Sequence, residues 1–154
     1  MERRTMELQD TVSDLLSHKS GELRSIAPGE TVYEAVELMA QNEIGALLVI
    51  AADTLLGIVS ERDYARKIIL KGRSSKDTLV EDIMMSPPVS VTPRHTVSEC
   101  MRIMTAEKLR HLPVVENDRA VGIVSIGDLV NWTIRKQEET IHQLHHYIAG
   151  NYPG

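Results

Sequence analysis

The sequence predicts an α+β protein made of two similar β-α-β-β-α halves. Residues 25–69 align with residues 90–134 without a gap, and 15 of these 45 positions are identical, against roughly three expected by chance at average residue usage. Within each copy, apolar residues at helical spacing are followed by short apolar runs separated by turn residues. Neither half can bury its apolar faces alone. We therefore expect the halves to pack sheet against sheet with pseudo-two-fold symmetry, flanked by N- and C-terminal helices.

The elements of each copy follow in order. A short extended segment ends at Pro28 or Pro93. A helix follows whose first residues, Thr31 to Glu34 in one copy and Thr96 to Glu99 in the other, match a capping box. Two apolar runs then predict a hairpin. The predicted strands cover residues 47–50 and 55–59 in the first copy, and residues 112–115 and 120–124 in the second.

The copies end in a second helix, which begins after Ser60 or Ser125 and in the first copy stops near Gly72. Pro113 lacks an N–H donor, so we expect its strand to lie at a sheet edge there. A segment over residues 138–149 carries apolar residues on one face and is expected to form an extra helix. The predicted organisation is a polar tail over residues 1–10, a first repeat over 11–72, a linker over 73–79, a second repeat over 80–136, and a C-terminal helix and tail over 137–154.

Composition excludes several classes of protein. The net charge of -5 argues against a general nucleic-acid binder. The single cysteine, Cys100, allows neither an internal disulfide nor a cysteine-based metal site. No apolar run approaches the ~18 residues of a membrane span, and the first ten residues resemble neither a secretory signal nor a transit peptide. We therefore expect a cytoplasmic protein that binds neither nucleic acid nor membrane.

The most informative string is Gly-Ile-Val-Ser-x-x-Asp, which covers residues 57–63 and again 122–128. A serine and an aspartate three residues apart at a helix start form a capping box, and local evidence favours this structural interpretation. The same hydroxyl and carboxylate also suit the two hydroxyls of a ribose, and a helix N-terminus beside them favours a phosphate. Capping and ligand contact are compatible.

Two repeats that begin with Ser-x-x-Pro and end with this motif resemble a pair of CBS (cystathionine β-synthase) domains. The resemblance covers residues 12–134, and the duplicated motif makes it specific. The chain is similar to small stand-alone CBS-pair proteins of bacteria and plant organelles. In that family the clefts between the repeats bind AMP, ADP or ATP, and sometimes NAD or S-adenosylmethionine.

The resemblance implies a set of ligand-binding residues. Ser60 with Asp63, and Ser125 with Asp128, would hold a ribose in two separate clefts. Backbone groups of the extended starts would contact adenine, and basic residues before the hairpin and after the motif would contact phosphate. The predicted adenine and hairpin contacts are Ile26, Ala27, Gly45, Ala46, Val91, Thr92, Leu112 and Pro113. The predicted phosphate contacts are Arg62, Arg110 and His111, with weaker candidates in Arg66 and Lys67.

The copies differ at these basic positions, so we expect the two sites to be non-equivalent. Gly45 and Ala46 stand where the second copy has Arg110 and His111, and Arg62 is matched by a glycine. The leading interpretation is a regulatory sensor of adenine nucleotides that acts on a client protein. The alternative is a protein-binding adaptor, for example of a redox partner, since plant relatives are linked to thioredoxin-type proteins.

Three further features receive a structural interpretation. His142 and His146 are four residues apart in the last helix, but no acidic third ligand matches their spacing, so we expect no metal site. Cys100 aligns with Ala35 on a buried helical stripe and is expected to be a core residue. The sequence contains no recognisable pair of nucleophile and base, so we expect no catalytic activity. By resemblance to the family, we also expect a homodimer.

Overall fold

The computed structural model describes residues 10–19 and 21–151. The described chain forms two compact units. We call them the sheet unit, residues 21–93 with 111–123, and the helical unit, residues 10–19 with 94–110 and 124–151. Each unit combines segments from both repeats, so the units do not coincide with the two copies found in the sequence.

The sheet unit contains a three-stranded sheet from the first copy. β1 (Ser25–Ile26) pairs in parallel with β2 (Ala46–Ala51), which pairs antiparallel with β3 (Thr54–Ser60). The hairpin turn at Ala52 and Asp53 has φ of 51° and 63°. Two successive positive φ values are typical of the two-residue turn whose twist matches that of a hairpin. The predicted hairpin is therefore confirmed.

One face of this sheet packs against α2 (Val32–Asn42). The core on this side includes Val32, Ala35 and Met39, the helical stripe predicted from the sequence. It also includes Val80 and Ile83, which lie in or beside a short 3-10 helix over Val80–Asp82. The segment that precedes the second copy therefore completes the core of the first copy.

The second copy contributes a two-stranded sheet, β4 (His111–Glu116) and β5 (Arg119–Ser125), with a turn of positive φ at Asn117 and Asp118. Val91 joins β4 through one bridge to Val114. In the first copy, Leu48 donates its N–H to the carbonyl of Arg24. Pro113 occupies the aligned position and has no N–H to donate. The counterpart of β1 is a single bridge, and β4 is an edge strand of a two-stranded sheet, as predicted for the strand of Pro113.

The two sheets meet within the sheet unit. Ala46, Leu48 and Ile58 are buried on the second face of the three-stranded sheet, and Ala120 and Ile123 of β5 pack against them. Sheet-to-sheet packing and the α+β class are thus confirmed by the structure. The contact excludes water from apolar side chains of both copies, as expected for halves that cannot bury their own faces.

The helical unit contains α1 (Val12–His18), α4 (Val97–Glu107) and α5 (Ile126–Asn151). The start of α1 pairs with the start of α4, where Val12 donates to the carbonyl of His95 and Val97 donates to the carbonyl of Asp10. The sheet unit repeats this arrangement, because Val32 donates to Thr78 and Val80 donates to Glu30. The segment that precedes each copy therefore packs on the first helix of the other copy.

The helices after each motif differ in form. In the first copy, α3 (Glu61–Tyr64) continues as a π-helical turn over Ala65–Ile69. In the second copy, α5 is one helix of 26 residues, and no break separates residues 126–136 from the segment predicted as an additional helix. That prediction was wrong about the boundary. Among the described residues, no helix has the combined length and apolar character needed to cross a membrane.

Candidate functional site

The first motif begins where β3 ends. Asp63 Oδ2 accepts hydrogen bonds from the Ser60 backbone N–H at 2.9 Å and from its hydroxyl at 3.0 Å, and the Ser60 Oγ accepts from the Asp63 N–H at 3.2 Å. This reciprocal pair is the capping box predicted from the sequence. The Asp63 side chain is 19% exposed, so solvent still reaches the carboxylate.

Lys67 neutralises part of this charge from the next helical turn. Its Nζ lies 3.3 Å from Asp63 Oδ1 and donates to the carbonyl of Ile83 at 2.8 Å. Lys67 therefore anchors the motif to the segment that precedes the second copy, a structural role that the sequence did not indicate. Arg66 is exposed, and Arg62 is half-buried beside the cap.

The structure brings His111 to the first motif. A Cβ built on Gly45 would lie 3.3 Å from Glu61 Oε1 and 3.4 Å from His111 Nε2. Gly45 also accepts the Glu61 N–H at 3.0 Å, so the start of β2 is fixed against the start of α3. His111 belongs to the second copy in sequence, yet its ring lies beside a glycine of the first. A Cβ at position 45 would be in van der Waals contact with that ring.

The extended starts use their backbone groups in the sheets. Val91 donates to Pro113 at 2.9 Å, and its carbonyl accepts from Val115 at 2.8 Å. Ile26 holds the matching register opposite Val49. Both backbone groups of Val91 are thus engaged in the sheet, although its carbonyl keeps a second lone pair, and the predicted contact with adenine stays a prediction. Ala27 is exposed and Thr92 is half-buried, so these neighbours are the better candidates.

Three further predicted contacts lie in the interior. Leu112 is fully buried, Ala46 is nearly so, and Pro113 is also buried. The predicted contacts of these three residues with a ligand stay predictions. The burial of Leu112 agrees with the apolar pattern of its strand.

The second motif repeats the cap with a different cation. Asp128 Oδ2 accepts from the Ser125 N–H at 2.9 Å, and Ser125 Oγ accepts from the Asp128 N–H at 3.0 Å. Lys19, which follows α1, donates to the same Oδ2 at 2.7 Å. Ile126 donates to the Arg110 carbonyl at 2.8 Å, the counterpart of the bond between Glu61 and Gly45, and the Arg110 side chain is exposed.

Sequence reasoning missed Lys19 and Glu61. Lys19 lies outside the aligned repeats and is 109 residues from Asp128, so no local pattern links them. The short match between residues 12–16 and 80–84 was the available signal, because it marks both segments as parts of the module. Glu61 is aligned with Ile126, and both occupy the first variable position of the Ser-x-x-Asp motif, so the pattern gave Glu61 no role.

Both motifs therefore place a solvent-accessible carboxylate, a serine hydroxyl and a lysine at the start of a helix. Each carboxylate is engaged in a cap, but an ionised carboxylate has about four acceptor sites. Such a group can accept hydrogen bonds from the hydroxyls of a ligand while it caps the helix. Among the described residues, no cluster of three or more histidine, cysteine or acidic side chains could hold a metal ion.

Comparisons with known proteins agree with this architecture. The CBS domain family model matches residues 12–70 and 80–135. The mitochondrial CBS domain-containing protein CBSX3 of Arabidopsis thaliana is 40% identical over an alignment of 151 residues, with 92% of this chain and 73% of the relative covered. The CBS domain-containing protein YhcV of Bacillus subtilis is 32% identical over 108 residues, 70% of this chain and 76% of the relative.

Solved structures extend the comparison to the fold. A protein with CBS domains from Burkholderia ambifaria is 45% identical with a TM-score of 0.79, covering 82% of this chain and 96% of that chain. The CBS-domain protein ATU1752 of Agrobacterium tumefaciens is 33% identical with a TM-score of 0.77, covering 86% and 99%. The duplicated motif, the two sheets and these matches lead to one conclusion: the chain belongs to the CBS-domain family and contains a pair of CBS domains.

Proposed function

We propose that this protein is a regulatory module that binds an adenine nucleotide and passes the signal to a client protein through its conformation or association. CBS pairs are regulatory modules, and this much follows from family membership. The ligand is our proposal: AMP, ADP or ATP, with NAD and S-adenosylmethionine as related adenosine compounds that would use the same contacts.

The observation that carries the proposal is the duplicated cap. Asp63 and Asp128 hold the same position at a strand-to-helix junction, and each remains partly exposed. Ribose hydroxyls can donate to the remaining lone pairs of such a carboxylate, and hydrogen bonds to a charged group contribute about 1.5–3 kcal/mol. The aspartates occupy the N3 position of each capping box, where glutamate and glutamine are the usual residues, so a cap alone would not require an aspartate at both junctions.

The basic residues support phosphate recognition at the first motif. Arg62 and His111 lie near the cap on the sheet unit, and Arg66 follows one turn later on an exposed surface. An arginine can bind phosphate through two parallel hydrogen bonds. The second motif has Arg110 and Lys19 in place of this set, so we expect its affinity for a phosphorylated ligand to differ.

Calorimetry on nucleotide-stripped protein tests the proposal. We expect at least one of AMP, ADP, ATP, NAD and S-adenosylmethionine to bind. Asp63→Asn and Asp128→Asn keep a side-chain oxygen for the cap but remove the charge, so each should weaken its own site about 10- to 100-fold.

Asp14 provides a matched control. It caps α1 with Thr11 through the same reciprocal hydrogen bonds but lies outside both motifs. Asp14→Asn should therefore leave ligand affinity unchanged. If the stripped protein binds none of the five compounds, the proposal is wrong. If Asp14→Asn weakens binding as much as the motif variants do, the carboxylates act through stability and are not ligand contacts.

A second candidate function is that of a protein-binding adaptor. It is favoured by a structural neighbour, the hexameric CBS-CP12 protein of bloom-forming cyanobacteria, which is 28% identical with a TM-score of 0.69. A redox-linked partner is one version of this function. Pull-down of partners with and without AMP separates the two functions, because a sensor's partner must respond to its ligand, whereas an adaptor's partner would be captured equally in both conditions.

A further inference from the structure

The second motif is contacted by a cation from outside the repeats. Lys19 Nζ lies 2.7 Å from Asp128 Oδ2, the same oxygen that accepts the Ser125 N–H of the cap. The side chains of Lys19 and Asp128 are 34% and 24% exposed, so water and small solutes reach both charges. The cap itself does not need Lys19, because the reciprocal hydrogen bonds between Ser125 and Asp128 complete it. The ammonium therefore adds a charge that helix capping does not require.

The position of Lys19 is set by the end of α1. Its N–H donates to the Leu16 carbonyl at 3.2 Å, and the neighbouring His18 ring meets the Trp132 ring edge-on, with ring centroids 5.2 Å apart. Trp132 follows Asp128 by four residues, so both contacts of α1 lie on the same face of α5. The backbone of Lys19 is thereby held beside the motif, while its flexible four-carbon stem allows the ammonium to turn toward a nearby anion.

The second motif brings no cation of its own. Residues 125–130 read Ser-Ile-Gly-Asp-Leu-Val, whereas the first motif contains Arg62 and is followed by Arg66 and Lys67. The residue aligned with Arg62 is Gly127, and among the described residues a Cβ there would meet only a serine hydroxyl oxygen, at 3.6 Å. The side of the second motif that faces Gly127 is therefore open, and Lys19 supplies the positive charge that contacts its carboxylate.

The compounds proposed as ligands differ in charge at the 5′ carbon of the ribose. AMP, ADP, ATP and NAD carry a phosphate there, whereas S-adenosylmethionine carries a positively charged sulfonium. If ribose hydroxyls donate to Asp128, as proposed above, the group on the 5′ carbon lies one sugar ring away from the Lys19 ammonium. At so short a separation a cation attracts a phosphate and repels a sulfonium. An ammonium can also donate charge-assisted hydrogen bonds to phosphate oxygens, but a sulfonium accepts none.

We propose that Lys19 determines the ligand class of the second site: it selects adenosine compounds that carry a 5′ phosphate and disfavours S-adenosylmethionine. This inference rests on the proposed function, since it requires that Asp128 binds a ribose. When a nucleotide binds, the ammonium turns from Asp128 toward the phosphate, and a ribose hydroxyl takes its place on the carboxylate. This exchange of partners keeps every charge paired. A sulfonium cannot take part in it, because it has the same sign of charge as Lys19.

Calorimetry with AMP, adenosine and S-adenosylmethionine tests the proposal, because these ligands present a negative, a neutral and a positive group at the 5′ carbon. Every protein also carries Asp63→Asn, which weakens the first site, so that the heat reports on the second site. We expect Lys19→Met to weaken AMP binding about 10- to 100-fold, as the loss of a charged hydrogen bond does. The same variant should bind S-adenosylmethionine about two- to fivefold more tightly and adenosine within about twofold of the parent, since exposed charges contribute little.

Lys136→Met is the matched control. Lys136 is 32% exposed and pairs with Asp10 at 3.7 Å, much as Lys19 pairs with Asp128. It lies eight residues beyond Asp128 on α5, which is about 12 Å along a helix. Exposed charges at that separation are largely screened at physiological salt, so the affinities of all three ligands should stay unchanged. Lys19→Arg keeps the charge and should restore the preference for AMP.

The ratio of the affinities for AMP and S-adenosylmethionine decides the outcome. If Lys19→Met weakens all three ligands by the same factor, Lys19 only supports the position of Asp128 and does not select the ligand. An equal change of the ratio in Lys136→Met also refutes the selection by Lys19. So does an Asp63→Asn protein that binds none of the three while the wild type binds AMP, a result that leaves the proposed function intact at the first site. A wild type that binds none of the five adenosine compounds refutes the proposed function and this inference together.

Discussion

At the residue scale, Gly57 shows how a contact distant in sequence fixes a single position. β3 and the segment after the 3-10 helix exchange hydrogen bonds, with Met85 donating to Ile58 at 2.9 Å and Ile58 donating to Met85 at 3.2 Å. A Cβ at Gly57 would lie 2.5 Å from the Met85 carbonyl oxygen and 3.0 Å from Met84 Sδ. The glycine of the motif is therefore required by close packing of two backbones.

We expect Gly57→Ala to lower the free energy of unfolding by about 1–3 kcal/mol, since overpacking forces the backbone to shift. Gly29→Ala is the matched control, because a Cβ there meets nothing within 4 Å, and its effect should stay within about 0.5 kcal/mol. Urea unfolding followed by circular dichroism measures both. Equal stability of the two variants would show that the segment at Met85 moves freely.

Single residues also show what the sequence could predict. The caps at Thr31, Thr96, Ser60 and Ser125 were predicted because each depends on residues three apart. The pairing of Lys19 with Asp128 could not be predicted, since it joins segments 109 residues apart. The burial of Leu112 was predictable too, because it follows from the apolar run of its strand.

At the element scale, the capping boxes make helix stability dependent on pH. The Thr96 backbone N–H donates to Glu99 Oε1 at 2.8 Å, and this hydrogen bond holds the pKa of Glu99 below its usual value of 4.5. A carboxylate whose pKa is lower in the folded protein than in the unfolded chain stabilises the fold at pH values above its pKa in the unfolded chain. This stabilisation is lost as the pH falls below about 4.5 and then through the lowered pKa of Glu99 in the folded protein.

Glu99→Gln tests this dependence, because glutamine can keep the capping box without titrating. We expect the variant to lose less stability than the wild type between about pH 6 and about pH 3.5. The control is Glu107→Gln, at the other end of α4, which removes a charge but no cap hydrogen bond. Parallel loss of stability in Glu99→Gln and the wild type would contradict the assignment.

The elements themselves were predictable where the periodicity was local. Both hairpins and the starts of α2 and α4 agree with the aligned repeats. The form of the helix after each motif was not predictable. The π-helical turn after α3 and the unbroken helix α5 occupy aligned positions of the two copies, but their surroundings differ. Lys67 ties the first copy to Ile83, whereas the aligned Trp132 donates to Asp10 at 2.8 Å.

At the scale of the whole molecule, the chain exchanges segments between its repeats. Val12 packs with α4 of the second copy, and Val80 packs in the core of the first copy. The sequence showed that these two segments match, but local patterns cannot say on which copy a segment docks. Only long-range packing decides this, and it explains why the compact units differ from the aligned repeats.

This exchange predicts a single cooperative unfolding transition. The chain passes between the two units at four places, so neither unit is a continuous stretch of sequence that could fold before the other is complete. Val12 and Val80 are both fully buried, one in each unit. Val12→Ala and Val80→Ala should each lower the free energy of unfolding by about 2 kcal/mol, through lost transfer energy and a residual cavity.

Trp132, the only tryptophan of the chain, reports on the helical unit, while far-ultraviolet circular dichroism reports on all helices and strands. Both variants should move the fluorescence and dichroism transitions by the same amount, even though Val80 lies in the other unit. Ser13→Ala and Glu81→Ala change the neighbouring residues and control for the position of each substitution. If Val80→Ala leaves the Trp132 transition in place, the two units unfold independently and the exchange of segments does not couple them.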